Sequence, residues 1–446
     1  MIRKVFNHTS RNFSLFAVIL LSTFVLTACG GGGGGSDSYD QPDTPTNDPV
    51  NGSASSVLIE ADTLKQWLDE GLVNNTDSYD GKVVILEYGT TGDRIPGAIQ
   101  VGVNELRGTR LDGLAPAASL VATGPQIDAV IQAAGIDENT TVVLMTGGKA
   151  YLSTRPYWTF RYWGFSQDRL KVLNGGKTAW TAAGYDLTSE ETVVAPSTYS
   201  VKDIGAINDD LRVSIGELIE TLDDATIANG TDYITIDARG GSATSGFVGA
   251  GTTTSLISGS VVFEGHPAGG IAFSQGALFD ADGKFLDADT IKGLLETAGW
   301  QEGMPVITYC TSGFSCTPIF FAFEAILGTE VQVFDGSWSQ AGQYAAIGTD
   351  ADMDGVDDNT GAVLPSDSPW DLSFFVDDLA YNADDADKTV ADIYTMPYSA
   401  DLESWYNPGD EETDQVETTD SSYVTSGSSD DGDAPSAGGD SGSVGC

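Results

Sequence analysis

The hydrophobic pattern of residues 56–190 alternates between short apolar runs and longer segments with apolar residues three and four apart. The stretches "KVVILEYG" and "TTVVLMTGG" are continuous apolar runs typical of buried strands, and "GPQIDAVIQAAGI" has the spacing of an amphipathic helix. Alternation of such strands with helices is typical of a parallel sheet that helices cover on both faces. The pattern therefore predicts the α/β fold class.

The same order of elements recurs in residues 210–347. "DYITIDARG" repeats "KVVILEYG", and "MPVITYCTSG" repeats "TTVVLMTGG". A fixed order of elements that recurs over about equal lengths indicates a tandem duplication. We therefore expect two α/β domains, at 56–190 and 210–347, with a polar linker between them. The aromatic stretch "STRPYWTFRYWGF" predicts a helix that packs between the two domains.

The first 28 residues have the pattern of a secretory signal peptide, with three basic residues before an apolar run that ends in "LTAC" at Cys29. This ending resembles a bacterial lipobox, which implies cleavage before Cys29 and lipidation of its thiol. The alternative is an ordinary signal peptide followed by a chance cysteine. Residues 29–55, rich in Gly, Ser and Asp, are predicted to be a disordered tether. We expect a protein of the bacterial cell envelope. Its lipid would anchor it to the outer membrane, on the periplasmic or surface side.

The composition is strongly acidic, with 65 Asp and Glu against 20 Lys and Arg and a net charge of −45. Loss of residues 1–28 removes three positive charges from this total and leaves −48. Nucleic acid repels a body with this charge, which excludes it as a partner. Residues 348–446 are predicted to be an acidic, partly disordered extension, of which the part beyond Asn407 has the composition of a disordered tail.

Cys310 ends an apolar run, and a short polar loop and a helix-like pattern follow it in "MPVITYCTSGFSCTPIFF". A cysteine between a strand and a helix faces the N–H groups of the loop and the positive end of the helix dipole. Both lower the pKa of the thiol and favour a nucleophilic thiolate. Gly313 allows the loop to fold tightly, and Thr311, Ser312 and Ser315 are small and polar, which leaves the amides open. The alternative is that Cys310 is only a small buried hydrophobic residue.

These features resemble the rhodanese-type sulfurtransferases. The resemblance covers about residues 56–347, and it is carried by the two-domain repeat, "RIPGA", "DAR", "YCTSGFSC" and "FDGSWSQAG". It implies that Cys310 takes a sulfane sulfur from a small donor as a persulfide and passes it to a thiol or cyanide acceptor, with no cofactor required. It also implies that the first domain is an inactive copy, because Thr146 stands at the position equivalent to Cys310.

The resemblance also implies a set of substrate-binding residues. Members that use thiosulfate tend to carry basic residues after the cysteine, whereas Thr311 and Ser312 are closer to the loop of the mercaptopyruvate sulfurtransferases. Both thiosulfate and 3-mercaptopyruvate are therefore candidate donors. A second arginine of the family is replaced by Gly246, and a histidine is replaced by Arg94. The expected substrate-binding residues are Arg239, Thr311, Ser312, Gly313, Phe314 and Ser315.

The sequence allows two other functions. The missing arginine and the acidic body would suit a binding or assembly module of the cell envelope that derives from a rhodanese and has lost its activity. Alternatively, Cys310 and Cys316 form a redox pair, although their spacing permits a disulfide only if the first helical turn rearranges.

The acidic segment "DADMDGVDD", residues 350–358, is a candidate calcium site. Carboxylates at alternate positions around Gly355 could converge on one Ca²⁺ ion, as in the Asp-rich loops of extracellular proteins. The spacing of an EF-hand is incomplete, since position 361 is glycine. The alternative is an acidic linker without an ion. The expected ligands are Asp350, Asp352, Asp354, Asp357 and Asp358.

Overall fold

The computed structural model describes most of the chain between residues 57 and 426. The described ranges are 57–76, 81–113, 115–223, 233–239, 241–242, 246–247, 263–342, 344, 356–357, 361–362, 370, 372–381 and 414–426. The predicted signal peptide, the lipidation site Cys29 and the tether at 29–55 lie outside these ranges. Within them, every helix is too short or too polar to cross a bilayer.

A five-stranded parallel sheet organises the first repeat, with the strand order β1-β7-β6-β2-β3, while β4 and β5 form a separate antiparallel hairpin. All six residues of β2 are buried, as expected for a strand that is covered on both faces. The strands are β1 (Leu58–Ile59), β2 (Val83–Tyr88), β3 (Ala98–Val101), β4 (Arg107–Asp112), β5 (Ala115–Val121), β6 (Thr141–Met145) and β7 (Leu170–Leu173). The helices up to the end of the linker are α1 (Ala61–Asp69), α2 (Gly124–Ala133), α3 (Tyr151–Tyr162), α4 (Gly176–Ala182) and α5 (Val201–Ile204).

The second repeat contains a four-stranded parallel sheet with the order β12-β8-β13-β14. Its strands are β8 (Ile234–Asp237), β9 (Gly241–Ser242), β10 (Gly246–Phe247), β11 (Phe263–Pro267), β12 (Ile271–Ala272), β13 (Val306–Tyr309) and β14 (Val331–Val333). Its helices are α6 (Ile215–Asp223), α7 (Ala288–Ala298), α8 (Thr317–Phe321), which continues as a π-helix over Ala322–Leu327, and α9 (Ser337–Ala341). Short 3₁₀ turns lie at Val103–Leu106, Gln167–Arg169, Asp209–Leu211, Gln275–Leu278 and Leu372–Phe375.

The two sheets confirm the predicted duplication and the α/β fold class. Read from the opposite edge, the second sheet runs β14-β13-β8-β12, which is the order of the equivalent strands β7-β6-β2-β3. At the outer edge, Arg212 pairs in parallel with Val333, as Leu58 of β1 pairs with Val172. Arg212 therefore occupies the position of a strand that the second repeat has reduced to a single bridge. The domain limits 56–190 and 210–347 stay a prediction.

Helix α3 of the first repeat packs against α8 of the second, as predicted for the aromatic stretch. The Thr154 and Thr317 hydroxyls are 2.8 Å apart and share a hydrogen bond. The Tyr157 ring meets Phe321 edge-on at 4.9 Å between centroids, and the Tyr157 hydroxyl donates to Glu324 at 2.6 Å. Aromatic edge contacts and buried hydrogen bonds together fix the two repeats against each other.

Part of the acidic extension packs on the body. The Trp370 side chain is buried, with its ring 5.9 Å from that of Tyr344. Two strands, β15 (Val356–Asp357) and β16 (Gly361–Ala362), pair with each other, and β17 (Val376–Tyr381) pairs antiparallel with β11.

The expectation of a disordered tail beyond Asn407 is wrong for one segment, because Gln415–Thr425 forms a helix, α10. Composition suggested disorder since the segment is polar and acidic. The sequence did not reveal that Glu417 and Asp420 are buried against arginines of the body. Paired carboxylates of this kind can hold a helix that lacks a broad apolar face.

Most of the predicted calcium ligands cannot be placed. Asp350, Asp352, Asp354 and Asp358 lie outside the described ranges, and Asp357 is described only as backbone in β15. Among the residues that the structure describes, no group of three or more His, Cys, Asp and Glu side chains is arranged to hold a metal ion. The calcium site stays a prediction.

Candidate active site

Cys310 directly follows β13 and is fully buried. Its sulfur faces four hydrogen-bond donors of the loop that leads into α8: the amides of Ser312 and Cys316, the hydroxyl of Ser315 and the thiol of Cys316. Cys310 and Cys316 are both free thiols. The predicted strand–loop–helix geometry around the thiol is therefore present.

These donors make Cys310 a thiolate at neutral pH. Burial by itself would raise the pKa of the thiol, but the hydrogen bonds from Cys316, Ser312 and Ser315 outweigh it and lower the pKa of Cys310 to about 5. Burial and the neighbouring Cys310 sulfur raise the pKa of Cys316 well above its ordinary value. Cys316 therefore keeps its proton and donates it toward the Cys310 sulfur, so the two cysteines have different roles.

Ser337, the third residue of the Asp-Gly-Ser-Trp motif, holds the loop from the other side. Its hydroxyl oxygen accepts hydrogen bonds from the amides of Cys310 at 3.1 Å and Gly313 at 2.9 Å. The same oxygen lies 3.9 Å from the Cys310 sulfur. Ser337 adopts a φ of 52°, a left-handed conformation that costs a residue with a side chain roughly 1–3 kcal/mol. The motif was visible in the sequence, but the role of Ser337 was not.

The turn of the loop requires glycine at position 313. Gly313 has a φ of 75°, and an added Cβ would lie 2.3 Å from the carbonyl oxygen of Asp335. Behind it, the amide of Trp338 donates to the Cys310 carbonyl and the amide of Ser339 to the Thr311 carbonyl, both at 3.0 Å. The loop is thus fastened to α9 by main-chain hydrogen bonds.

Arg155 of α3 brings the first repeat into the site. Its guanidinium is fully buried and donates to the carbonyl of Gly313 at 2.5 Å and to that of Ser119 at 2.9 Å. It also lies 4.9 Å from the centre of the Phe314 ring. Sequence reasoning missed this residue because it treated the helix as a packing element. An arginine within an aromatic, apolar stretch was the available signal, since a buried charge needs specific partners.

The predicted substrate-binding residues fall into two groups. Thr311, Ser312, Gly313, Phe314 and Ser315 are brought together in the loop around Cys310, where Phe314 is buried and Thr311, Ser312 and Ser315 are partly exposed.

Arg239 forms an ion pair with Asp237, the last residue of β8. It donates to Asp237 at 2.6 Å and to the Gly265 carbonyl at 2.5 Å, and its guanidinium lies 4.5 Å from the Trp338 ring. The carboxylate of Asp237 thus balances its charge. A role of Arg239 in donor binding stays a prediction.

Thr146 occupies the equivalent position in the first repeat, directly after β6. Its hydroxyl accepts a hydrogen bond from the amide of Gly148 at 3.0 Å. It lines a cavity of about 330 Å³, together with residues of the segment 275–285. In this copy of the loop, a hydroxyl stands where the second repeat places a thiolate, and a hydroxyl is a weak nucleophile without an activating base.

The lowered pKa of Cys310 predicts an unusual titration. We expect the ultraviolet absorbance of the thiolate, taken as wild type minus Cys310→Ser, to stay constant from pH 8 to pH 6 and to fall only near pH 5. An ordinary cysteine, with a pKa of about 8.5, would be almost entirely protonated at pH 6. A difference signal that disappears between pH 9 and pH 8 would contradict the described hydrogen bonding.

Comparison with protein-family models gives no match. Among curated proteins, the chain is 26% identical over 304 residues to a putative thiosulfate sulfurtransferase of Saccharopolyspora erythraea, which covers 66% of this chain and 96% of that protein. It is 24% identical over 320 residues to thiosulfate/3-mercaptopyruvate sulfurtransferase 2 of Arabidopsis thaliana, which covers 65% of this chain and 84% of that protein.

A solved structure of a variant of EanB in complex with ergothioneine shares the fold. It superposes with a TM-score of 0.50 and 18% sequence identity, over 64% of this chain and 67% of that one. These sequence relatives match about two thirds of this chain and bear the names of sulfurtransferases. In its duplicated α/β fold and in its sequence, this chain is similar to these sulfurtransferases.

Proposed function

We propose that the chain transfers a sulfane sulfur from thiosulfate or 3-mercaptopyruvate, through a persulfide on Cys310, to a thiol or cyanide acceptor. The observation that carries this proposal is the loop around the buried Cys310, which Ser337 fastens through the amides of Cys310 and Gly313 and whose donors face the sulfur. Donors fixed before the reaction stabilise a negative sulfur without further reorganisation. They can serve the thiolate first and the terminal sulfur of the persulfide afterwards.

In the first step, the Cys310 thiolate attacks the sulfane sulfur of the donor. A bond forms between Cys310 Sγ and that sulfur, while the bond that held the sulfur in the donor breaks. Thiosulfate leaves as sulfite, which takes the electron pair of the S–S bond. 3-Mercaptopyruvate leaves as the enolate of pyruvate, which takes the electron pair of the C–S bond and is protonated by solvent. No base is needed for Cys310, because it is already ionised.

In the second step, the acceptor attacks the terminal sulfur of the persulfide. Cyanide becomes thiocyanate, and a thiolate becomes a persulfide, while the electron pair of the S–S bond returns to Cys310 Sγ. A thiol of low pKa leaves faster than an ordinary one, so the same hydrogen bonds assist this step. Cys310 ends as the thiolate with which the cycle began.

Arg107 of the first repeat supports an anionic donor. Its guanidinium lies 5.6 Å from the Phe314 ring of the loop. A cation beside the loop would offset part of the repulsion that a chain of net charge −45 exerts on an anion. Arg239 is the arginine that the resemblance implies for substrate binding, and Arg94 replaces a histidine of the family. The main chain of Arg94 forms an antiparallel β-bridge with Thr188. The side chain of Arg239 forms an ion pair with Asp237.

Substitution of the two cysteines should separate their roles. We expect Cys310→Ser to lose sulfur transfer to both donors. Cys316→Ser should retain much of it, since the serine hydroxyl can still donate toward the Cys310 sulfur. The measurement is thiocyanate formed from cyanide with each donor. Full turnover by Cys310→Ser would refute transfer through Cys310, whereas absent turnover by the wild type with both donors would favour the alternative of a binding module.

We also propose that lipid on Cys29 anchors the protein to the cell envelope. The support is the lipobox-like "LTAC" and the Gly-rich tether that follows it. In cells, Cys29→Ser should move the protein from the membrane fraction to the soluble fraction without a change in its specific activity. Cys446→Ser is the matched control and should leave the fractionation as it is. Membrane association that persists in Cys29→Ser would argue against the lipid anchor.

A further inference from the structure

Helix α10 lies beyond both repeats in sequence but packs on α2, α5 and β4. Tyr423 holds α10 on the body. Its hydroxyl donates a hydrogen bond to Asp128 at 2.7 Å, and its ring contacts Trp163 edge-on at 6.3 Å between centroids. The first residue of α2 leaves room for this ring: a Cβ on Gly124 would lie 2.1 Å from Tyr423. The surface of the body is therefore complementary in shape to this helix.

Two buried contacts, each between an arginine and a carboxyl group, fasten the helix to the body. Arg110 of β4 donates twice to Asp420, both times at 2.7 Å, and the Tyr162 hydroxyl adds a third hydrogen bond to that carboxylate at 2.9 Å. Arg212, which is fully buried, donates to Glu417. Buried pairs with several hydrogen bonds have a defined geometry, because a displaced partner leaves an uncompensated charge.

Arg212 connects the helix to the active site. Besides Glu417, it donates to Asp112 at 3.1 Å and to Asp335 at 2.9 Å. Asp335 is the first residue of the Asp-Gly-Ser-Trp motif, and its carboxylate also accepts from the amide of Val121 at 2.7 Å.

Asp335 in turn supports the loop of Cys310. Its carbonyl oxygen is the group that Gly313 approaches so closely that only glycine fits. Two residues later, the Ser337 hydroxyl accepts hydrogen bonds from the amides of Cys310 and Gly313. A displacement of Asp335 would therefore move the support on which the loop depends.

We propose that α10 is a positioning element of the active site, in which Glu417, through Arg212 and Asp335, holds the Cys310 loop in place. This inference deepens the proposed function and rests on it only in taking Cys310 as the reacting group. Glu417 touches no reacting atom and acts through the other residues.

Four buried carboxylates face three buried guanidiniums in this region, which leaves one excess negative charge. The acidic residues are Asp112, Asp335, Glu417 and Asp420, and the basic ones are Arg110, Arg155 and Arg212. Burial raises the pKa of Glu417 to about 7, although Arg212 opposes this. At pH 6 the side chain is therefore mostly protonated, and Glu417→Gln is close to its native form.

The test titrates the Cys310 thiolate in the full-length protein, by the absorbance difference between each variant and its own Cys310→Ser counterpart. Gly124→Ala adds one methyl group against the Tyr423 ring and changes no charge. We expect it to dislodge α10 and raise the titration midpoint by about one pH unit or more, because the loop donors no longer offset burial. In a Tyr423→Ala background, Gly124→Ala should have no further effect, because the clash is absent.

A second pair of variants covers the case that Gly124→Ala does not fold, which near-ultraviolet circular dichroism would reveal. Glu417→Ala should raise the midpoint, Glu417→Gln should restore it, and Thr418→Ala, on the exposed side of α10, is the matched control. A wild-type midpoint in both Gly124→Ala and Glu417→Ala overturns the inference, as does an equal shift in Glu417→Ala and Thr418→Ala. The titration needs no sulfur donor, so failure of the proposed function would appear separately, as absent turnover by the wild type.

Discussion

A fully buried sulfur anion is the constraint on which the rest of this site depends. Burial penalises the charged form of Cys310, so a thiolate can exist there only if fixed donors replace the water that it has lost. The loop supplies them from Ser312, Ser315 and Cys316. Each donor must hold its position within a few tenths of an ångström, because the hydrogen bonds weaken quickly with distance and angle. The structure around the loop is therefore a means of keeping those donors in place.

The duplicated fold explains how this is achieved. The second repeat provides the strand that ends at Cys310 and the motif that carries Ser337, whereas the first repeat contributes Arg155 from a helix that packs across the repeat boundary. The first repeat has kept the strand–loop–helix but has Thr146 in place of the thiol. One copy has thus retained the nucleophile, and the other has become part of its support.

Local features of the site could be predicted from the sequence, and distant ones could not. The role of Cys310 follows from a strand, a loop and a helix that are contiguous in the chain, and the tandem repeat follows from the order of apolar patterns. Arg155 lies far from the loop in sequence, so only the fold shows that it reaches Gly313. Helix α10 was missed for a different reason. Its carboxylates suggest a solvated tail until their buried partners, Arg110 and Arg212, are known.

The central claim is that Cys310 carries the sulfur, and mass spectrometry of the Cys310 peptide tests it most directly. The purified protein would be incubated with thiosulfate or 3-mercaptopyruvate in the absence of an acceptor, and then with cyanide. The account predicts the added mass of one sulfur atom on Cys310, absent from Cys316 and removed by cyanide. An unmodified Cys310 after exposure to both donors, or a sulfur found on Cys316 instead, would contradict it.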